Sequence, residues 1–99
     1  MDIIFQHIKA TRNRLVEGLI TEKLEKLARK YPWIIRAEVF LRKETAETLN
    51  KKVCEIRISI PGPTLFSSAK APKFEQAAAE ALNDMETQLQ KKKEAMKAY

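Results

Sequence analysis

The chain has very little with which to do covalent chemistry: across 99 residues it contains one cysteine, Cys54, and one histidine, His7. A single thiol excludes an intrachain disulfide and a multi-cysteine zinc site. A cysteine–histidine nucleophile would need His7 and Cys54 to meet, and no third orienting group accompanies them. Cys54 sits between Val53 and Glu55 in a strand-like run, which reads as a buried, inert thiol. His7 reads as a packed or surface imidazole rather than a metal ligand. The two glycines, Gly18 and Gly62, are too few for a phosphate-cradling loop or a dinucleotide fingerprint. The expectation is a protein that is not an enzyme, with no catalytic residue, cofactor, metal or small-molecule substrate. Long apolar runs are also missing, since none approaches the roughly 20 residues that cross a bilayer. The opening Asp2 to His7 has no basic leader. These features predict a cytoplasmic protein that does not engage a membrane.

What the sequence does have is an ordinary globular mixture, 44% apolar and 32% charged. That is enough for one core and predicts a single domain over residues 1–99. Lysine and arginine (19) outnumber aspartate and glutamate (13), for a formal charge of +6. A small domain with this excess attracts polyanions, nucleic acid or an anionic membrane surface being the usual ones, and charge alone does not choose between them.

The hydrophobic pattern divides the chain into six elements. Ile3 to Ile8 alternates as a first strand, with Ile3, Phe5 and His7 on one face. Thr11 or Asn13 then caps a helix that runs to about Tyr31. Val16, Leu19, Ile20, Leu24, Leu27 and Tyr31 form its apolar stripe, and Pro32 ends it. Ile34 to Arg42 alternates as strand two, with Ile35, Ala37, Val39 and Leu41 on the core side. Lys43 to Lys52 reads as a solvated link. Strand three follows, with Cys54, Ile56, Ile58 and Ile60 inward, so the link joins an antiparallel pair. Pro61-Gly62 suits a turn in which Gly62 supplies a positive φ. Thr64 to Ala69 reads as strand four, with Leu65, Ser67 and Ala69 inward. After Pro72 a last helix carries Phe74, Ala77, Ala78, Ala81, Leu82, Met85, Leu89 and Met96 on one stripe. The fold class is therefore α+β, in the order β-α-β-β-β-α, with both helices on one side of a four-stranded sheet and the other side open.

Two lysine clusters stand out on this frame. Helical spacing puts Lys23, Lys26 and Lys30 along one shoulder of the first helix, with Arg12 on the same line. Such a row neutralises successive phosphates without reading sequence. It also fits a solvated face with pairs such as Glu22 to Lys26. In the last helix, Lys92 falls in the middle of the apolar stripe, where a charge should not be buried. The helix therefore outruns its sheet, and Lys91, Lys92, Lys93 and Lys97 make a projecting basic end. Dipole compensation accounts for the same residues. On the open sheet face, Phe40 and Phe66 among Arg36, Arg42, Arg57 and Lys70 suit base stacking or a protein partner.

Ile3 and Phe5, Glu22 to Leu27, Ile35 to Leu41, Ile58 and Ile60 with Gly62 and Leu65, and Gln88 to Lys93 together carry a resemblance over nearly the whole chain. The sequence resembles the ribosome hibernation promoting factors and ribosome-associated translation inhibitors, also called sigma factor modulation proteins. The resemblance implies a fold akin to double-stranded-RNA-binding domains with an added strand. It implies binding of the small ribosomal subunit near the decoding centre, obstruction of the mRNA and tRNA sites, and translation held idle. It maps ribosomal RNA contacts onto Lys23, Lys26, Lys30, Lys91, Lys92 and Lys93. The family often has Asp-Arg where Pro32-Trp33 stands here, an acidic residue with Tyr where Lys73-Phe74 stands, and arginines at the positions of Thr87 and Gln90. The C-terminal dimerisation domain of longer members is not in the sequence, so ribosome pairing would need another factor or would not occur; a monomer off the ribosome is expected. A protein-interaction module using the open sheet, and a general double-stranded RNA binder, are the competing readings.

Overall fold

The computed structural model describes residues 1–8, 10, 12–46 and 49–97, with side chains for all of these except 45, 46, 49, 50 and 97. The elements are β1 (Asp2–Ile8), α1 (Arg14–Lys30), β2 (Arg36–Ala46), β3 (Leu49–Ser59), β4 (Thr64–Ala71) and α2 (Phe74–Lys97). The sheet order is β1-β2-β3-β4. β1 pairs parallel to β2, which requires the α1 crossover, while β2 with β3 and β3 with β4 are antiparallel.

Asn13 is the cap of α1: its Oδ1 accepts the Val16 N–H at 3.2 Å. Thr11, the other capping candidate, lies outside the described residues. At the far end the Tyr31 N–H reaches the Leu27 carbonyl at 2.7 Å, and Pro32 can take the helix no further. Gly62 has a φ of 107°, a conformation that L side chains rarely adopt, as the turn between β3 and β4 demands.

One core fills the space between the sheet and the two helices. Val16, Ile20, Leu24, Leu27 and Tyr31 enter it from α1, and Ala77, Ala78, Ala81, Leu82, Met85 and Leu89 from α2. Ala37, Val39, Leu41, Cys54, Ile56 and Ile58 rise to meet them from the sheet. The alanines of α2 let that helix lie close to β4, where the buried Ser67 donates to the Ala81 carbonyl at 2.9 Å. Gln88 donates to the Phe66 carbonyl at 2.7 Å and so satisfies one acceptor on β4, an edge strand.

Three stripe residues are not in the core: Leu19 (50% exposed), Ile35 (57%) and Met96 (43%). Leu19 lies about 100° around α1 from the middle of the buried stripe, on a shoulder the sheet does not reach. Ile35 precedes β2 by one residue, beyond the Asp2–Arg36 pair where β1 begins. Met96 sits on the last turn of α2, after the final buried contact at Leu89.

The larger correction concerns Lys43 to Lys52, expected as a solvated link. β2 and β3 run on through it as a ladder, pairing Lys43 with Lys52, Glu44 with Lys51, Thr45 with Asn50 and Ala46 with Leu49. Apolar alternation reports burial, not pairing, so a ribbon that extends past its helices gives no hydrophobic signal. Opposite charges at Glu44 and Lys51 support it locally, and Glu44 also meets Lys70 at 3.0 Å.

Cys54 is fully buried, and that burial, with the Glu55 charge as the lesser cause, pushes its thiol up from 9.0 to about 12. The sign follows from linkage. A neutral thiol in the fold stabilises it fully below pH 9, and stability falls as the pH rises from 9 towards 12, by about 1.4 kcal/mol per unit. Chemical denaturation of wild type and Cys54→Ala between pH 8 and pH 10.5 should show this slope in wild type only; parallel profiles would assign the thiol no part in it.

Candidate nucleic-acid interface

α1 and α2 pack side by side, and the seam between them is a groove of about 150 Å³ lined by Lys23, Lys26, Leu27, Lys30, Leu82, Asn83 and Glu86. Leu27 and Leu82 form its buried floor, and the polar residues stand on its rims. Next to it, a second hollow is lined by Lys30, Tyr31, Gln90, Lys93 and Glu94. Lys30 belongs to both, so the two form one track along the seam.

Tyr31 joins the two basic clusters. It is wholly buried at the end of α1, yet the Lys30 Nζ lies 5.5 Å and the Lys93 Nζ 5.8 Å from its ring centroid. A ring face attracts ammonium groups through its quadrupole, so one aromatic side chain attracts two lysines from different helices at the hollow that both line. Trp33 packs against the same ring, with centroids 5.5 Å apart and planes at 57°. That contact gives the unusual Pro32-Trp33 a structural role.

Lys23, Lys26, Lys30 and Lys93 therefore come together. Lys91 and Lys92 do not line the seam. About 100° per residue turns Lys91 towards solvent on the back of α2 and Lys92 towards the sheet side, where it is half-buried. The Lys97 side chain lies outside the described residues. Arg12 also leaves the proposed row: it precedes the cap, so helical spacing does not apply to it, and its Nε donates to Glu17 at 3.0 Å. His7 Nε2 lies 3.2 Å from the same Glu17 carboxylate without hydrogen-bond alignment. Lys26 meets Glu22 at 3.6 Å, but both side chains are about two-thirds exposed, and a pair in that setting holds its lysine only loosely.

The open sheet differs in its charge balance. Arg36 pairs with Glu38 at 3.5 Å, Arg42 pairs with Glu55, and Lys70 pairs with Glu44. Arg57 lies over the Phe40 ring at 5.5 Å, which covers the aromatic that base stacking would need. Phe66 remains about half exposed. Arg36, Arg42, Arg57 and Lys70 are thus engaged within this face, whereas the seam presents four lysines against Glu86 and Glu94. No side-chain cluster among the described residues could hold a metal ion, and no described helix is long and apolar enough to cross a membrane.

Comparison with known proteins agrees with this architecture. The structure is similar to that of a ribosomal subunit interface protein from Coxiella burnetii, with a TM-score of 0.82 at 19% identity, covering 94% of this chain and 98% of that one. It is also similar to the N-terminal domain of Thermus thermophilus Protein Y, with a TM-score of 0.70 at 22% identity, covering 91% and 93%. At these identities the likeness establishes the fold. No curated protein sequence gave a significant match. The family model for sigma 54 modulation protein / S30EA ribosomal protein matches residues 1–97. By that match the chain belongs to the sigma 54 modulation protein / S30EA ribosomal protein family, the non-enzymatic, ribosome-associated family of the hibernation promoting factors.

Proposed function

We propose that the chain binds the small ribosomal subunit near the decoding centre, by phosphate neutralisation along the helix seam, and keeps translation idle by occupying the mRNA and tRNA sites. The observation that carries this reading is the gathering of Lys23, Lys26, Lys30 and Lys93 around one groove, opposite a sheet whose charges neutralise one another. Lys91 and Lys92 extend the same basic pole to the sides of α2 and take phosphates that the groove does not reach. The protein acts as a monomer in the cytoplasm and needs no cofactor.

Sedimentation with purified ribosomal subunits tests the proposal. The protein should pellet with small subunits. Raising salt from 50 to 200 mM should release it steeply, by about a hundredfold if four phosphates are neutralised, because counterion release drives such contacts. An excess of free RNA duplex should compete poorly. Equal competition would make the chain a general duplex binder. Binding to a protein partner that persists in high salt, with no ribosome in the pellet, would favour the open sheet.

A further inference from the structure

A second cluster of cations lies at the opposite pole of the molecule, where both helices begin. Arg12, Asn13, Arg14, Leu15, Lys43, Lys52 and Phe74 line a cleft of about 420 Å³. We infer that Arg14, Lys43 and Lys52 make this cleft a second phosphate-binding site, which takes backbone phosphates of the same RNA that the helix seam engages. The inference rests on the RNA-binding reading above and extends its surface to residues of the β2–β3 ribbon.

The strand register supplies the first argument. Leu41, Cys54 and Ala69 form the last apolar row across the helix side of the sheet, and Lys43, Lys52 and Ala71 form the next. Lys43 and Lys52 therefore point towards the helices just past the point where the core ends, directly opposite each other on adjacent strands. Like charges in that position repel. The neighbouring row avoids the conflict by placing Glu44 opposite Lys51. A fold that sets two lysines side by side at a cleft, where a mixed pair would be more stable, is arranged for an anion between them.

The surroundings add to the positive field. Arg14 is exposed and, like Lys43 and Lys52, forms no ion pair among the described residues. Asn13 caps the Val16 N–H, and the positive end of the α1 dipole faces the same opening. The helix seam contains Glu86 and Glu94, whereas among the described residues no carboxylate lines this cleft. Arg12 is the one lining cation already neutralised, by Glu17.

The two sites also share a side of the molecule. Leu15 borders the cleft, and spacings of four, four, three and four lead from it through Leu19, Lys23 and Lys26 to Lys30 along one shoulder of α1. From Arg14 to Lys30 the helix rises about 24 Å. A folded RNA can therefore touch both poles at once, and each pole should contribute separately to the salt dependence.

The test is Lys43→Gln with Lys52→Gln, which keeps most of each aliphatic stem and removes both charges. With small subunits as the probe, the double variant should bind about tenfold more weakly at 0.1 M salt, and the slope of log affinity against log salt should become shallower by about 1.5. Its Tm should equal or exceed that of wild type, because the repulsion is gone. Lys43→Arg with Lys52→Arg should restore affinity and slope. If wild type binds and the glutamine variant matches it in both measures, this inference fails and the proposed function stands. If wild type does not pellet with ribosomal subunits, both fall.

Discussion

Replacing Lys23, Lys26 and Lys30 together with glutamate should abolish co-sedimentation with ribosomes and leave the domain folded. The three ammonium groups stand on one rim of the helix seam, exposed, with a single loose partner at Glu22. Losing three phosphate contacts costs on the order of 10² to 10³ in affinity near 0.1 M salt, and the new carboxylates add repulsion from the same phosphates. The cost to folding is much smaller. The Glu22–Lys26 pair contributes about 0.4 kcal/mol. A glutamate at position 30 opposes the α1 dipole by up to about 1 kcal/mol. Against the roughly 5–15 kcal/mol that stabilises a domain, these losses leave the protein folded, as circular dichroism would verify. Arg36→Glu is the matching control, since Arg36 already pairs with Glu38 on the open sheet; its sedimentation should change little. A folded triple variant that still pellets would remove the seam from the interface.

The parts of the fold that the sequence reveals are those where burial and periodicity coincide. The stripes of α1 and α2, the inward faces of β3 and β4 and the break at Pro32 all lie where apolar residues meet the core, and each is where spacing puts it. Leu19, Ile35, Met96 and the Lys43–Lys52 ribbon depart from the reading for a common reason. Spacing along one element cannot tell where the neighbouring element ends, and each of these residues lies beyond such an edge. The candidate site shows the same limit. The Lys23, Lys26 and Lys30 row is a property of one helix and is visible in its spacing. The approach of Lys93 to Lys30 depends on how two helices lie together, and on Tyr31 between them. The visible signal for Tyr31 was only its place at the end of the apolar stripe, which marks it as core and says nothing of the lysines over its ring. The cleft at Lys43 and Lys52 left no mark at all, because it requires a register between strands that carry no apolar pattern there.

Tyr31 is where stability and the proposed binding meet, and its replacement should separate them. Tyr31→Ala empties a fully buried site beside Trp33, Lys30 and Lys93. Removing an aromatic of that size from a core costs about 3–5 kcal/mol. In a domain of this length, that lowers the Tm by on the order of 15–30 °C. Tyr31→Phe keeps the ring and its quadrupole, so it should stay within about 1 kcal/mol of wild type in thermal unfolding and bind ribosomes as wild type does. Tyr31→Leu is the informative middle case. It fills much of the space with apolar volume, so folding survives at reduced stability. It offers no ring face to hold two ammonium groups together, so Lys30 and Lys93 drift apart under their own repulsion. Its affinity for small subunits should fall several-fold at a temperature where it is fully folded. If Tyr31→Leu binds as tightly as Tyr31→Phe, the ring serves only the core, and the meeting of the two lysines contributes nothing to the interface.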